Sequence, residues 1–271
     1  MKLLGNNVKL YLQEHIKKHF SPSQSYFEQC MLLKGECFRQ REGRTTQRVY
    51  LGNTPYFIKQ YRGVGWKEIF KNLFQLRLPI LSAKNEWHAL KKLQSLGVLT
   101  PNIVAFGQRG FNPAKLKSFI LMNELTPTIS LETLSEDWQH SPPPFLFKQA
   151  LIKKVAEIAK CLHENGINHR DFYICHFLLD ISPHLNNHQL PCLYLIDLHR
   201  AQIRQTTPFR WIVKDLAGLY FSSKKIGLTE RDLFRFIKVY SGTSLRNAME
   251  VKKTFWYKIK QRGEKLYDNK G

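Results

Sequence analysis

Ser141-Pro142-Pro143-Pro144 is a break that neither a helix interior nor a central strand accepts, because each proline lacks an N–H and fixes φ. The hydrophobic pattern differs on its two sides. Upstream, Arg48-Val49-Tyr50-Leu51 and Tyr56-Phe57-Ile58-Lys59-Gln60-Tyr61 flank Gly52-Asn53-Thr54-Pro55, which predicts a hairpin. Further strands are expected at Ile103–Phe106 and Ser118–Met122. Two helices interrupt them. Trp66, Ile69, Phe70 and Leu73 recur at helical spacing within 66–77, and Ala83–Leu96 carries Trp87, Leu90 and Leu93 ahead of Gly97. Downstream, Leu151, Ile152, Val155, Ile158, Ala159 and Leu162 form one stripe of a helix over 150–163, closed by Asn165-Gly166. A loop from His169 runs into a strand ending near Asp180, Leu193–Ile196 is another strand, and the chain is helical from about Trp211, with Thr229 as N-cap for 231–240. The expectation is one α+β domain of two lobes, strand-rich over 1–125 and helix-rich over 126–271.

Charge narrows the partners. Lys and Arg number 42 against 21 Asp and Glu, a net +21 over 271 residues, so the partner is anionic: nucleic acid, acidic lipid, a phosphorylated substrate or an acidic protein. No zinc-finger spacing, RNP-type aromatic signature or basic zipper is present, so nucleic acid is not the expected one. A 43% hydrophobic content excludes a mainly disordered chain. No run approaches the ~18 apolar residues of a membrane span, and the first residues do not read as a signal peptide. Five scattered cysteines suit a reducing cytoplasm better than a disulfide framework.

The chemistry concentrates in four residues. Asp171, in His169-Arg170-Asp171, follows the long helix, and Asp197 ends the strand after it. One loop carboxylate can accept a hydroxyl proton while the other holds Mg²⁺, the pair that phosphoryl transfer needs. Upstream, Lys59 lies in a strand and Glu86 early in the next regular helix, an order that suits a phosphate-binding ammonium oriented by a carboxylate. Cys161, His163, His169, Cys175, His176, Cys192 and His199 contain no C-x-x-C spacing, so a zinc site is not expected.

Arg41–Thr46, Gly63-Val64-Gly65-Trp66, His169-Arg170-Asp171 with Tyr173-Ile174-Cys175-His176-Phe177, Ile196-Asp197-Leu198-His199-Arg200-Ala201 and Lys214-Asp215-Leu216-Ala217 together resemble the lipopolysaccharide core heptose(I) kinase family of Gram-negative bacteria. That resemblance spans nearly the whole chain and implies a protein-kinase-like fold. It implies ATP- and Mg²⁺-dependent phosphorylation of the first inner-core heptose, or of another inner-core sugar such as Kdo. The alternative from another class is a silent kinase-like module that binds anionic lipid or an acidic protein. Asp171 would be the base, Asp197 a Mg²⁺ ligand, Lys59 the phosphate clamp and Glu86 its orienter.

No G-x-G-x-x-G precedes Lys59, so a phosphate cradle falls to Gly43, Arg44 and Thr45 or Thr46, and the adenine to backbone groups of Met122, Asn123 and Glu124. His176 stands where a protein kinase places Asn; it either ligates metal or hydrogen-bonds Asp171 or Asp197. Arg200, Arg204 and Arg210 either flank an anionic acceptor or form a solvated basic loop. The acceptor's lipid anchor implies a place at the cytoplasmic face of the inner membrane. The 66–77 helix, with Lys67 and Lys71 beside its apolar stripe, either meets that surface or packs into the first lobe.

Overall fold

The computed structural model describes residues 2–4, 8–41, 43–74, 79–182 and 191–268. Two compact units emerge: residues 1–91 with 101–124, and residues 92–100 with 125–271.

The first unit is built on a seven-stranded antiparallel sheet. Its strands are β1 (Lys2–Leu4), β2 (Val8–Leu12), β3 (Glu36–Arg41), β4 (Arg44–Leu51), β5 (Thr54–Tyr61), β6 (Ile103–Arg109) and β7 (Lys117–Asn123), ordered β1-β2-β6-β7-β5-β4-β3. Side-chain alternation decides its faces. Gln47, Val49 and Leu51 of β4 and Tyr56, Ile58 and Gln60 of β5 are buried on one face, where α1 (Glu14–Lys17) adds Ile16 and α2 (Tyr26–Leu32) adds Phe27, Cys30 and Met31. Two buried amides fasten α2 to this face: Gln47 Nε2 donates to Gln60 Oε1 at 3.2 Å, and Gln60 Nε2 donates to the Cys30 and Leu33 carbonyls at 3.0 Å. The expected hairpin forms with a tighter turn than 52–55. Gly52, at φ +61°, and Asn53 suffice, since Thr54 and Pro55 already pair with Leu51 and Tyr50.

Two helices complete the unit. In α4 (Lys84–Ser95), which belongs to this unit as far as Lys91, Glu86, Trp87, Ala89 and Leu90 are buried. The other, α3 (Gly65–Phe74), covers most of the expected 66–77; residues 75–78, Arg77 among them, lie outside the described residues. Its stripe does not pack as core. Ile69 is 6% exposed, but Trp66 is 50%, Phe70 52%, Leu73 47% and Phe74 87% exposed.

The second unit opens with β8 (Thr128–Ser130) and α5 (Leu131–Leu134), and α6 (Phe145–Glu164) starts directly after the prolines. Leu151, Val155, Ile158, Ala159 and Leu162 of α6 are buried, as its stripe predicts. Beyond α6 come β9 (Ile167–Asn168), β10 (Phe177–Asp180), β11 (Leu193–Leu195) and β12 (Gln202–Ile203). Strands β11, β10 and β8 form one small sheet, and β12 pairs with β9. The helices α7 (Phe209–Ser223), α8 (Glu230–Ser241), α9 (Leu245–Val251) and α10 (Lys253–Asp268) follow, and Thr229 caps α8 through a capping box with Asp232. Among the described residues no helix is long and apolar enough to cross a membrane.

Candidate active site

In the first unit, Lys59 Nζ lies 2.7 Å from Glu86 Oε1, with both side chains largely buried. The order strand lysine, then helix carboxylate, thus becomes a contact. Register sorts the residues around it. Thr46 pairs with Lys59 and Arg44 with Tyr61, whereas Thr45 pairs with Gln60. Cross-strand partners share a face, so Thr46 and Arg44 flank Lys59. The Thr45 hydroxyl instead donates to Gln60 Oε1 at 3.2 Å on the opposite face. Of Thr45 and Thr46, only Thr46 offers its hydroxyl to the Lys59 side.

Gly43 closes the β3–β4 turn at φ +68°, and a Cβ there would sit 2.4 Å from the Gly63 carbonyl oxygen. Only glycine allows both the conformation and that approach. At the end of β7, the Asn123 N–H is committed to the Asn102 carbonyl at 2.9 Å, and Glu124 N reaches the Pro55 carbonyl at 3.4 Å. The Glu124 carboxylate takes Arg48 Nε at 2.9 Å. Neither N–H can meet an adenine ring without giving up its present partner, and Met122 is buried in the strand.

In the second unit, pairing of Gln202 with Asn168 draws together the loop after β9 and the loop after β11. Arg170 and Asp197 both adopt left-handed backbone, φ +74° and +60°, an unfavourable state for such residues. Asp215, buried in α7, holds the first of them: its carboxylate accepts the His169 N–H at 2.6 Å and the Arg170 N–H at 2.8 Å. Burial holds His169 below the usual imidazole pKa. It is therefore neutral, and its Nε2–H donates to the Ile196 carbonyl at 3.0 Å.

His176 connects the two loops. Its Nδ1 lies 2.7 Å from the Asp171 carbonyl oxygen, which can only accept, so Nδ1 carries the proton. In the neutral ring Nε2 is then a lone pair, and it faces Asp197 Oδ2 across 3.8 Å. Two acceptors set face to face suit a cation between them. The other oxygen, Asp197 Oδ1, accepts His199 Nδ1 at 2.6 Å. Among the described residues no group of three or more His, Cys, Asp or Glu is placed to hold a metal. Mg²⁺ keeps waters and phosphate oxygens and needs only one or two carboxylates, so Asp197 fits it, while the His176 nitrogen is a donor that Mn²⁺ accepts more readily than Mg²⁺.

Asp171 Oδ1 accepts Arg200 Nη1 at 2.7 Å. Arg204 donates to Asn168 Oδ1 at 2.5 Å and to Gln202 Oε1 at 2.5 Å, which makes it a brace of the β9–β12 ribbon. Arg210 is exposed at the start of α7, its guanidinium 5.1 Å from the Trp211 ring centre. Residue-by-residue reading gave no individual role to Asp215, His199 or Trp211. The one available signal was the Lys214-Asp215-Leu216-Ala217 motif, an acidic residue inside an apolar helix.

The model of the lipopolysaccharide kinase (Kdo/WaaP) family matches residues 28–240. The chain belongs to that family. The lipopolysaccharide core heptose(I) kinase WaaP of Pseudomonas aeruginosa is 43% identical over 263 residues, 97% of each chain. The protein of that name from Escherichia coli K12 is 46% identical over 240 residues, 89% of this chain and 90% of the other. A solved structure of WaaP in complex with acyl carrier protein superimposes with TM-score 0.83 at 39% identity, covering 96% of this chain and 99% of that one. The α+β fold is thus the kinase-like fold of the Kdo/WaaP family, as the motifs implied.

Proposed function

We propose that this chain uses ATP to phosphorylate the first heptose of the lipopolysaccharide inner core. The observation that carries this reading is His176, which donates to the Asp171 carbonyl and sets its other ring nitrogen 3.8 Å from Asp197 Oδ2. Relatives named as heptose(I) kinases at 43–49% identity support the same substrate. In this reading the two compact units are the two lobes of a kinase.

Arg200 fixes one oxygen of Asp171, and the other takes the acceptor hydroxyl's proton as the sugar oxygen bonds to the γ-phosphorus and the bond from that phosphorus to the bridging oxygen breaks, releasing ADP. Glu86 holds the Lys59 ammonium for the nucleotide phosphates, beside Arg44, Thr46 and the close-packed Gly43 backbone. Asp197 would hold Mg²⁺, which when bound neutralises charge on the phosphates. Retention of both the Lys59–Glu86 pair and Asp171 argues against a silent module.

Two surfaces support a position near a lipid-anchored acceptor. The exposed Trp66, Phe70, Leu73 and Phe74 of α3, with Lys67 and Lys71 alongside, have the composition of an interfacial helix on an anionic membrane. The second unit holds an apolar cavity of about 740 Å³ lined by Leu151, Val155, Leu219, Leu233, Ile237 and Trp256, among others. With the +21 charge, it supports an acyl carrier protein, acidic and acyl-bearing, as a partner.

The deciding experiment is mass and NMR analysis of core oligosaccharide from cells lacking this chain, with purified enzyme and ATP added back. Loss of one phosphate on the first heptose, restored by the enzyme, is expected. An unchanged core overturns the assignment, and a phosphate lost from Kdo instead moves it to that sugar.

A further inference from the structure

The ring of Trp211 is crowded by cations. The guanidinium groups of Arg170 and Arg210 lie 5.1 Å from its centre, the Lys214 ammonium 5.3 Å and the Arg204 guanidinium 5.9 Å. Arg200, on Asp171, is near enough to depress both the Arg170 and Lys214 pKa values. Burial is the first cause of each depression, and neighbouring positive charge the second.

The carboxylates that oppose this charge are already engaged. Asp215 accepts two backbone N–H groups, and Asp171 Oδ1 accepts Arg200. A ring face attracts a cation by about 0.5–1 kcal/mol when exposed and about 2 kcal/mol when desolvated, and that attraction works against the mutual repulsion of four cations around one tryptophan. Two donors also lack acceptors. Arg170 Nε and Trp211 Nε1 are buried with no hydrogen-bond partner among the described residues. Orphan donors inside a ring of cations call for an anion.

We propose that Arg170, Trp211 and Lys214, with Arg210 at the rim, bind a carboxylate or phosphate group of the acceptor next to the hydroxyl that Asp171 deprotonates. This rests on the sugar-kinase reading and adds to it a requirement on the substrate. The acceptor must carry an acidic substituent beside the reacting sugar, and a carboxyl-bearing sugar linked to the heptose meets it. Neutral sugars of the same shape leave the orphan donors unsatisfied and bind less tightly. Arg204, tied to Asn168 and Gln202, shapes the pocket and is not the main contact.

The test compares two acceptors under saturating ATP: core glycan with its acidic sugar intact, and the same glycan with the carboxyl group reduced to an alcohol. Binding is read by calorimetry and transfer by phosphate incorporation, for wild type, Lys214→Gln, Arg210→Gln and Trp211→Phe. The wild type should prefer the intact acceptor in Kd and KM by roughly 10-fold or more, the worth of a charge-assisted hydrogen bond. Lys214→Gln should raise KM for the intact acceptor roughly 5- to 50-fold, with little change for the reduced one or for ATP. Arg210→Gln should do the same more weakly; its exposure makes misfolding no explanation. Trp211→Phe keeps the ring and loses the donor, so it should erode the same discrimination. Equal binding of both acceptors by the wild type overturns the proposal, as do variants that weaken both acceptors alike. Inorganic phosphate competing with both acceptors, while the wild type shows no preference between them, assigns the site to a free anion instead. Transfer to neither acceptor counts against the kinase reading itself, whereas a surviving calorimetric preference still supports the anion site.

Discussion

Asp171 and His176 carry the sharpest expectations at the level of single residues. Asp171→Asn keeps the shape and the Arg200 contact but cannot take a proton, so turnover should fall roughly 10²- to 10⁴-fold. Single-turnover assays should show this with nucleotide affinity little changed; a fully active Asp171→Asn enzyme excludes it as the base. For His176, the Nε2 that faces Asp197 is the atom at issue. If it ligates metal, His176→Asn should retain activity while altering the preference between Mg²⁺ and Mn²⁺. If it only ties the loops together, the metal titration should be unchanged. The Lys59–Glu86 pair was legible because a strand and a helix each announce their period. Thr45 and Thr46 were not separable, since a parity choice depends on register that the sequence leaves open. Asp215 was harder still: the N–H groups it accepts lie 46 and 45 residues upstream, beyond any local pattern.

Among the elements, α3 and α8 make opposite lessons. Helical spacing located α3 but could not tell which medium its stripe meets, because 3.6-residue periodicity looks the same against a core and against lipid headgroups. Lys67→Glu with Lys71→Glu should reduce sedimentation with anionic vesicles, at about 1 kcal/mol for each basic residue, while activity on a delipidated acceptor persists. Unchanged vesicle binding would remove the membrane role. By contrast, α8 declared its start at Thr229, and the structure adds why Asp232 matters. Burial alone would raise the Asp232 pKa, but hydrogen bonds from Thr229 and Lys148 reverse that and hold it below the ordinary 3.8. Its contribution is therefore complete above the ordinary carboxylate range and is lost as pH falls through the depressed folded value. Asp232→Ala should cost about 2 kcal/mol through the broken capping box and the stranded Lys148. Urea melts should show that cost near pH 7, with the gap between variant and wild type narrowing below about pH 4.

The whole molecule is strongly cationic, so the acyl carrier protein complex proposed for it should weaken steeply with salt. Elution of the complex across a salt gradient checks this, and a salt-independent association would point to the apolar cavity alone. The long stretch of the second unit starts at Leu125, well before Pro142, so the prolines lie inside that unit and do not mark its start, and one short piece departs from chain order altogether. Residues 92–100 belong to the second unit although the chain on both sides of them belongs to the first. That arrangement has a consequence for synthesis. Every strand of the seven-stranded sheet has left the ribosome once Asn123 has. The Leu99 carbonyl, however, waits for the Leu195 N–H that it accepts at 2.9 Å, about a hundred residues later and on the order of ten seconds at usual elongation rates. Through that interval the Leu99 carbonyl lacks this partner, so a nascent chain paused before residue 195 should be cut by proteases around Leu99 more readily than the finished molecule.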